Sequence, residues 1–183
     1  MAHVNPGRPA EGEYGDYYEG YINRVPDGNI LDILDRQATE TEKLLASYTR
    51  AQAEWRPAPG EWNALEIVGH LSDAERVFAY RALCFARADP TPLPGMDPDG
   101  FMREANFSSR PFADVAAEFV AGRRATLALL RGFDAAAWTR SGTADGFAVS
   151  VRALAYVIAG HELHHVADLE KYPALADRAA ASM

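Results

Sequence analysis

Residues 150–172 read SVRALAYVIAGHELHHVADLEKY, and the spacing within this stretch decides the fold. Ser150 is a good N-cap, Leu154, Ile158, His161 and His165 recur at threes and fours, and Pro173 closes the run, so the stretch predicts a helix with one inward stripe. Working back along the chain, the same rhythm returns three times. A helix opening near Ser109 and Pro111 uses Phe112, Val115, Phe119, Thr126 and Leu130 and ends around Gly132. Another starts at the capping box formed by Asn63 and Glu66, carries Ile67, His70, Ala74, Val77, Arg81, Cys84 and Phe85 on one stripe, and stops before Pro90. The first runs from about Asn29 to Ala53 through Leu31, Leu34, Ala38, Thr41, Leu45 and Tyr48, and a breaker cluster at Pro57–Gly60 follows it.

No segment alternates with period two for long enough to predict a sheet, so the expected class is all-α. The proline-rich stretch between helices 2 and 3, about twenty residues without steady periodicity, is long for a compact domain. It predicts a four-helix bundle with a long crossover at that point. A short turn at Ala135–Trp138 and a loop through Gly146 lead to helix 4. The expected organisation is an N-terminal extension over 1–26, the bundle over 27–173 and a fraying tail over 174–183.

Composition narrows the function classes. The chain has 183 residues, 48% of them hydrophobic and 24% charged, the balance of one globular domain. Eighteen Lys and Arg against 26 Asp and Glu leave a net charge of −8, which argues against a nucleic-acid partner because phosphate contacts need a basic stripe. The one local candidate, Arg123-Arg124, is expected to be a solvated helix edge. Cys84 is the single cysteine, which rules out an internal disulfide and fits a reducing compartment. The first twenty residues lack the basic start and apolar stretch of a secretory signal, and no apolar run reaches the length of a membrane span. The expectation is a cytoplasmic protein with no membrane partner.

Three of the five histidines fall within five residues of helix 4. On a helix, residues four apart have Cβ atoms about 5–6 Å from each other, so His161 and His165 can aim two imidazoles at one ion. His164 lies off to the side of that stripe. The string His161-Glu162-Leu163-His164-His165 also matches the zincin pattern H-E-x-x-H, in which Glu162 would be a general base. The rest of that pattern is missing: Lys171 stands where a third histidine would be, and no glutamate follows Glu170. A third ligand therefore has to come from upstream, where the candidates are His3, near the chain start, and His70, on the apolar stripe of helix 2.

Three neutral imidazoles from two facing helices would leave coordination positions open, which suits catalysis. Zn²⁺ fits such a donor set first and Ni²⁺ next. Around the triad, Glu66 and Asp73 stand at i−4 and i+3 from His70, and Glu162 follows His161. Each is a candidate for orienting an imidazole or moving a proton. Arg81, three turns beyond His70 on the same stripe, is a candidate clamp for a substrate carboxylate. Cys84 is expected to be a small core hydrophobe.

The segments Glu61-Trp62-Asn63, Val68-Gly69-His70-Leu71-Ser72-Asp73-Ala74-Glu75 and Ile158-Ala159-Gly160-His161-Glu162-Leu163-His164-His165 resemble the DinB/YfiT-like superfamily of four-helix-bundle metalloenzymes. Leu93-Pro94-Gly95-Met96-Asp97 and the stretch 124–130 are similar to its members too, so the likeness covers about 21–172. The resemblance implies a bundle with a long crossover, and a divalent metal on three histidines that match His70, His161 and His165. It also implies a homodimer, and either an S-transferase-like enzyme using a low-molecular-weight thiol or a hydrolase using water, acting on a small electrophilic substrate. The reading from a different class is a non-catalytic bundle serving as a binding or dimerisation module.

Overall fold

The computed structural model describes residues 4–182. Four long helices form a bundle: α2 (Ile30–Ala46), α4 (Ala64–Ala86), α6 (Phe112–Arg131) and α8 (Val151–Leu169). Each of α2 and α4 packs on both α6 and α8. The two helices consecutive in sequence, α2 and α4, therefore stand at opposite corners. No helix is long and apolar enough to cross a membrane among the described residues.

The starts follow the sequence chemistry. Asn63 and Glu66 form the expected capping box, with each backbone N–H accepted by the other's side chain, and the Ser150 hydroxyl accepts the Ala153 N–H. Asn29 caps α2 in the same way through the Leu31 N–H.

The structure departs from the periodicity reading at several points. The first helix breaks at Ser47, and a separate short helix, α3 (Arg50–Glu54), begins under a capping box of Thr49 and Gln52. A local hydroxyl cap there outcompetes continuation of the helix. The crossover holds an eight-residue helix, α5 (Pro98–Ala105), capped by Asp97. The extension over 1–26 contains a short helix, α1 (Glu19–Ile22), laid against α8. Pro173 does not simply end the last helix; α8 stops at Leu169, and Pro173 occupies the first turn of α9 (Tyr172–Ala181), where its missing N–H costs nothing. After the expected turn, now α7 (Ala135–Thr139), comes a small antiparallel hairpin, β1 (Ser141–Ala144) with β2 (Phe147–Ser150). Asp145 and Gly146 turn it with φ of 54° and 79°, the left-handed pair that a two-residue hairpin loop requires. Leu93 of the crossover pairs with the same hairpin through the Thr143 carbonyl and the Asp145 N–H.

The buried apolar residues fall into two clusters. One is built on Ile30–Ala38, Ala82–Ala86, Leu127–Leu130 and Val151–Ala159, the other on Leu45, Ala64–Leu71, Val115–Val120 and Leu169. Between the two clusters the four long helices share a hydrogen-bonded layer of buried polar residues: Thr41 of α2, Glu75 of α4, Arg123 of α6 and Glu162 of α8. Arg123 thus corrects the expectation of a solvated edge. Arg124 is exposed and pairs with Glu42, whereas Arg123 is 1% exposed. Its Nε and Nη2 each donate to Glu75 at 2.9 Å, its Nη1 donates to Glu162, and the Thr41 hydroxyl donates to Glu162 at 2.5 Å. Arg123 of α6 therefore ties α4 and α8 together, and Thr41 brings in α2 through Glu162. A buried charge is tolerable only when paired in this way.

Candidate metal centre

His70 on α4 and His161 and His165 on α8 meet on one side of this polar layer. Their ligand nitrogens all lie within 4.8 Å of one another. His70 and His161 face each other Nε2 to Nε2 at 3.0 Å, and the three ring centroids are 4.8–5.1 Å apart. His70 and His161 are buried, and His165 is half-buried.

Glycines directly before two of these histidines let other elements close on the site. A Cβ at Gly69 would strike the Phe107 ring, and one at Gly160 would strike the Tyr21 backbone. Phe107 therefore seats the crossover beside His70, and α1 is pressed against α8 beside His161. Tyr21 then sets its ring edge-on to His161 at 5.3 Å and to His164 at 5.7 Å. Phe78 covers His161 at 5.8 Å, and Trp62 covers His70 at 4.9 Å.

This apolar shell sets the charge state. Burial pushes the His70 imidazole down to about 4 and that of His165 to about 3, and it holds His161 well below the ordinary histidine value with help from its neighbouring rings. All three rings are therefore neutral near pH 7, the form in which an imidazole nitrogen can donate a lone pair to a cation.

The other expected site residues divide. His164 is half-buried and turned toward Tyr21; it is His165 that completes the trio. His3 lies outside the described residues. Glu66 is not brought to the trio, because its carboxylate is held by the Arg56 guanidinium at 2.7 and 2.8 Å and by the Asn63 N–H. Asp73 is raised chiefly by burial, but the charges around it are Arg76, Glu118 and Arg110, which link α4 to the start of α6. Glu162 is fully engaged with Arg123 and Thr41 in the layer beneath the trio. Arg81 is buried and donates to the Tyr18 hydroxyl at 3.2 Å and the Pro94 carbonyl at 2.7 Å. Cys84 is buried, as a small core residue should be.

Periodicity missed Tyr21, Phe78 and Trp62 as the walls of the site, and Glu75 and Arg123 as its floor. The glycines at 69 and 160 were the available signal for the walls, since a glycine inside a helix commonly marks close approach. A cavity of about 780 Å³ lies elsewhere, between α2 and α6, and is lined by Leu45, Phe112 and Val120 rather than by the histidines.

No curated protein matches the chain. A solved structure, that of YfiT from Bacillus subtilis, superposes with a TM-score of 0.70 at 16% identity and covers 97% of this chain and 99% of its own. It is described as a probable metal-dependent hydrolase with an unusual four-helix bundle topology. A family model, that of the DinB superfamily, matches residues 33–169, which takes in all four long helices except the first turn of α2, and the three converging histidines. By that match the chain belongs to the DinB superfamily.

Proposed function

We propose that this chain is a metal-dependent enzyme in which His70, His161 and His165 hold one divalent ion, Zn²⁺ by first preference and Ni²⁺ by second, for attack of water or a low-molecular-weight thiol on a small electrophile. The observation that carries the reading is the convergence of three neutral imidazoles whose nitrogens lie within 4.8 Å. Zinc bound at about 2.0–2.1 Å to imidazole needs nitrogens somewhat over 3 Å apart, so the donor set fits with small ring rotations. A bound ion would supply Lewis acidity and lower the pKa of a coordinated water or thiol toward neutrality.

The chain's own residues do the rest. Trp62, Phe78 and Tyr21 exclude bulk water from one side of the trio. Glu75, Arg123 and Glu162 brace α4, α6 and α8 so that His70 and His161 keep their mutual position. With one cation and two carboxylates, that floor carries a net negative charge, which favours a cation bound above it. The description of YfiT as a probable metal-dependent hydrolase supports water over thiol as the nucleophile.

The test is elemental analysis of protein purified without a histidine tag or added metal, followed by assay against activated esters and against thiol-plus-electrophile pairs. The expected result is a stoichiometric ion in the wild type, none in His161→Ala, and turnover only with the ion present. An empty wild-type site that does not refill on dialysis against Zn²⁺ overturns the reading and leaves the binding module.

A further inference from the structure

Arg123 and Arg81 are the two arginines most deeply buried, at 1% and 3% exposure, and they are treated very differently. Arg123 is met by two carboxylates. Arg81 has no carboxylate within ion-pair distance among the described residues; its known partners are the neutral oxygens of Tyr18 and Pro94. Asp145, whose charge is felt at Tyr18, sits on the hairpin turn against Gly95 and makes no ion pair with Arg81. A desolvated guanidinium without a counter-charge is costly, and its planar fork is shaped for a carboxylate.

The surroundings of Arg81 connect it to the histidines. Its Cζ stands 5.7 Å from the centroid of Phe78, and the same ring stands 5.8 Å from His161. Tyr18 packs on Phe78 at 6.3 Å while Tyr21, one helical turn later in the N-terminal segment, packs on His161. One aromatic ring on α4 is thus shared by the cation and the trio, and one N-terminal segment covers both.

We propose that Arg81 is the anion-binding end of the site, taking the carboxylate of a small substrate whose reacting carbon lies at His70, His161 and His165. The position of the reacting carbon rests on the metal-dependent reading above; the anion site itself does not. Tyr18 and Pro94 hold two nitrogens of the guanidinium in place, so the fork is oriented before the ligand arrives and little ordering cost remains on binding. The substrates selected are carboxylate-bearing esters, amides or related electrophiles rather than neutral ones.

The test follows the arginine Nε–Hε resonances of the metal-free wild-type protein by ¹⁵N–¹H NMR, with Arg81→Lys used to assign the Arg81 signal. Hexanoate is titrated at constant ionic strength, with hexanamide as the uncharged counterpart of the same length. The expected result is a saturable shift of the Arg81 resonance with hexanoate and none with hexanamide, while the Arg123 resonance stays fixed. An Arg81 signal that ignores hexanoate, or that moves equally with hexanamide, overturns the proposal. Zinc retained by a second aliquot after dialysis against Zn²⁺ separates the two readings. Hexanoate binding in a chain that retains no zinc upholds the anion site and rejects the metal, and a zinc-loaded chain whose Arg81 ignores hexanoate does the reverse.

Discussion

The Nε2 atoms of His70 and His161 face one another at 3.0 Å across the interface of α4 and α8. Without a cation, such a pair can share only one proton, as a neutral N–H donor and a neutral acceptor, and protonating both rings would set two like charges against each other in an apolar shell.

That relationship makes the stability of the metal-free protein depend on pH. The folded-state values of His70 and His165 are depressed to about 4 and about 3, from 6.5 in the unfolded chain. Between those values the unfolded state binds more protons than the folded state, so their contribution is complete above about 6.5 and is lost as pH falls toward 4. Urea unfolding of chelator-treated protein should give a free energy that declines on acidification through this window, with a shallower decline in His70→Gln. A profile as steep in the variant as in the wild type would remove histidine burial as the cause.

Added Zn²⁺ should raise the unfolding midpoint of the wild type and leave that of His165→Ala unchanged. Saturation at a hundredfold excess over the dissociation constant corresponds to about 2.7 kcal/mol of linkage. Scanning calorimetry with and without zinc measures it. Equal rises in both proteins would place the binding elsewhere.

The mid-height network should be expensive to break and indifferent to its surface neighbour. Arg123→Met leaves Glu75 and Glu162 buried without their cation, an expected loss of about 3–5 kcal/mol. Thr41→Val removes one hydroxyl from Glu162, for about 1–3 kcal/mol. Arg124→Ala touches only the exposed pair with Glu42 and should change stability by about 0–1 kcal/mol. Chemical denaturation of the three variants gives the ranking, and an Arg123→Met protein as stable as the wild type would deny the network its structural role.

Gly160→Ala places a methyl group against the Tyr21 backbone, where no side-chain rotation can relieve the clash. The expected outcome is a loss of about 1–3 kcal/mol and faster hydrogen exchange over 16–22. Gly122→Ala on α6 is the control: its Cβ would meet only the Glu75 side chain at ordinary contact distance, 3.9 Å, and the substitution should be neutral or stabilising. Unchanged exchange in Gly160→Ala would mean that the N-terminal segment docks without needing that approach.

Helix positions and caps were legible in the chain because they depend on neighbours a few residues away. The stripe through Leu154, Ile158, His161 and His165, the box of Asn63 and Glu66, and the cap at Ser150 are all local statements, and the structure keeps each of them. The hairpin escaped because four-residue strands are too short for alternation to register, although Asp145-Gly146 is a strong turn pair.

What the sequence determined by itself was the set of helices and the types of ligand they present, since periodicity and side-chain chemistry are carried by the residues alone. Which groups meet was decided only by tertiary packing. Glu66, Asp73 and Glu162 all stood within a turn of a histidine, yet Arg56 holds the first, the junction with α6 surrounds the second, and Arg123 holds the third. Each of these outcomes depends on a residue distant in sequence, and a carboxylate pairs with whichever cation the fold brings to it. The same reason separates Arg123 from Arg124: adjacent positions on a helix differ by about 100° in direction, and only the packing of four helices made one of those directions the interior.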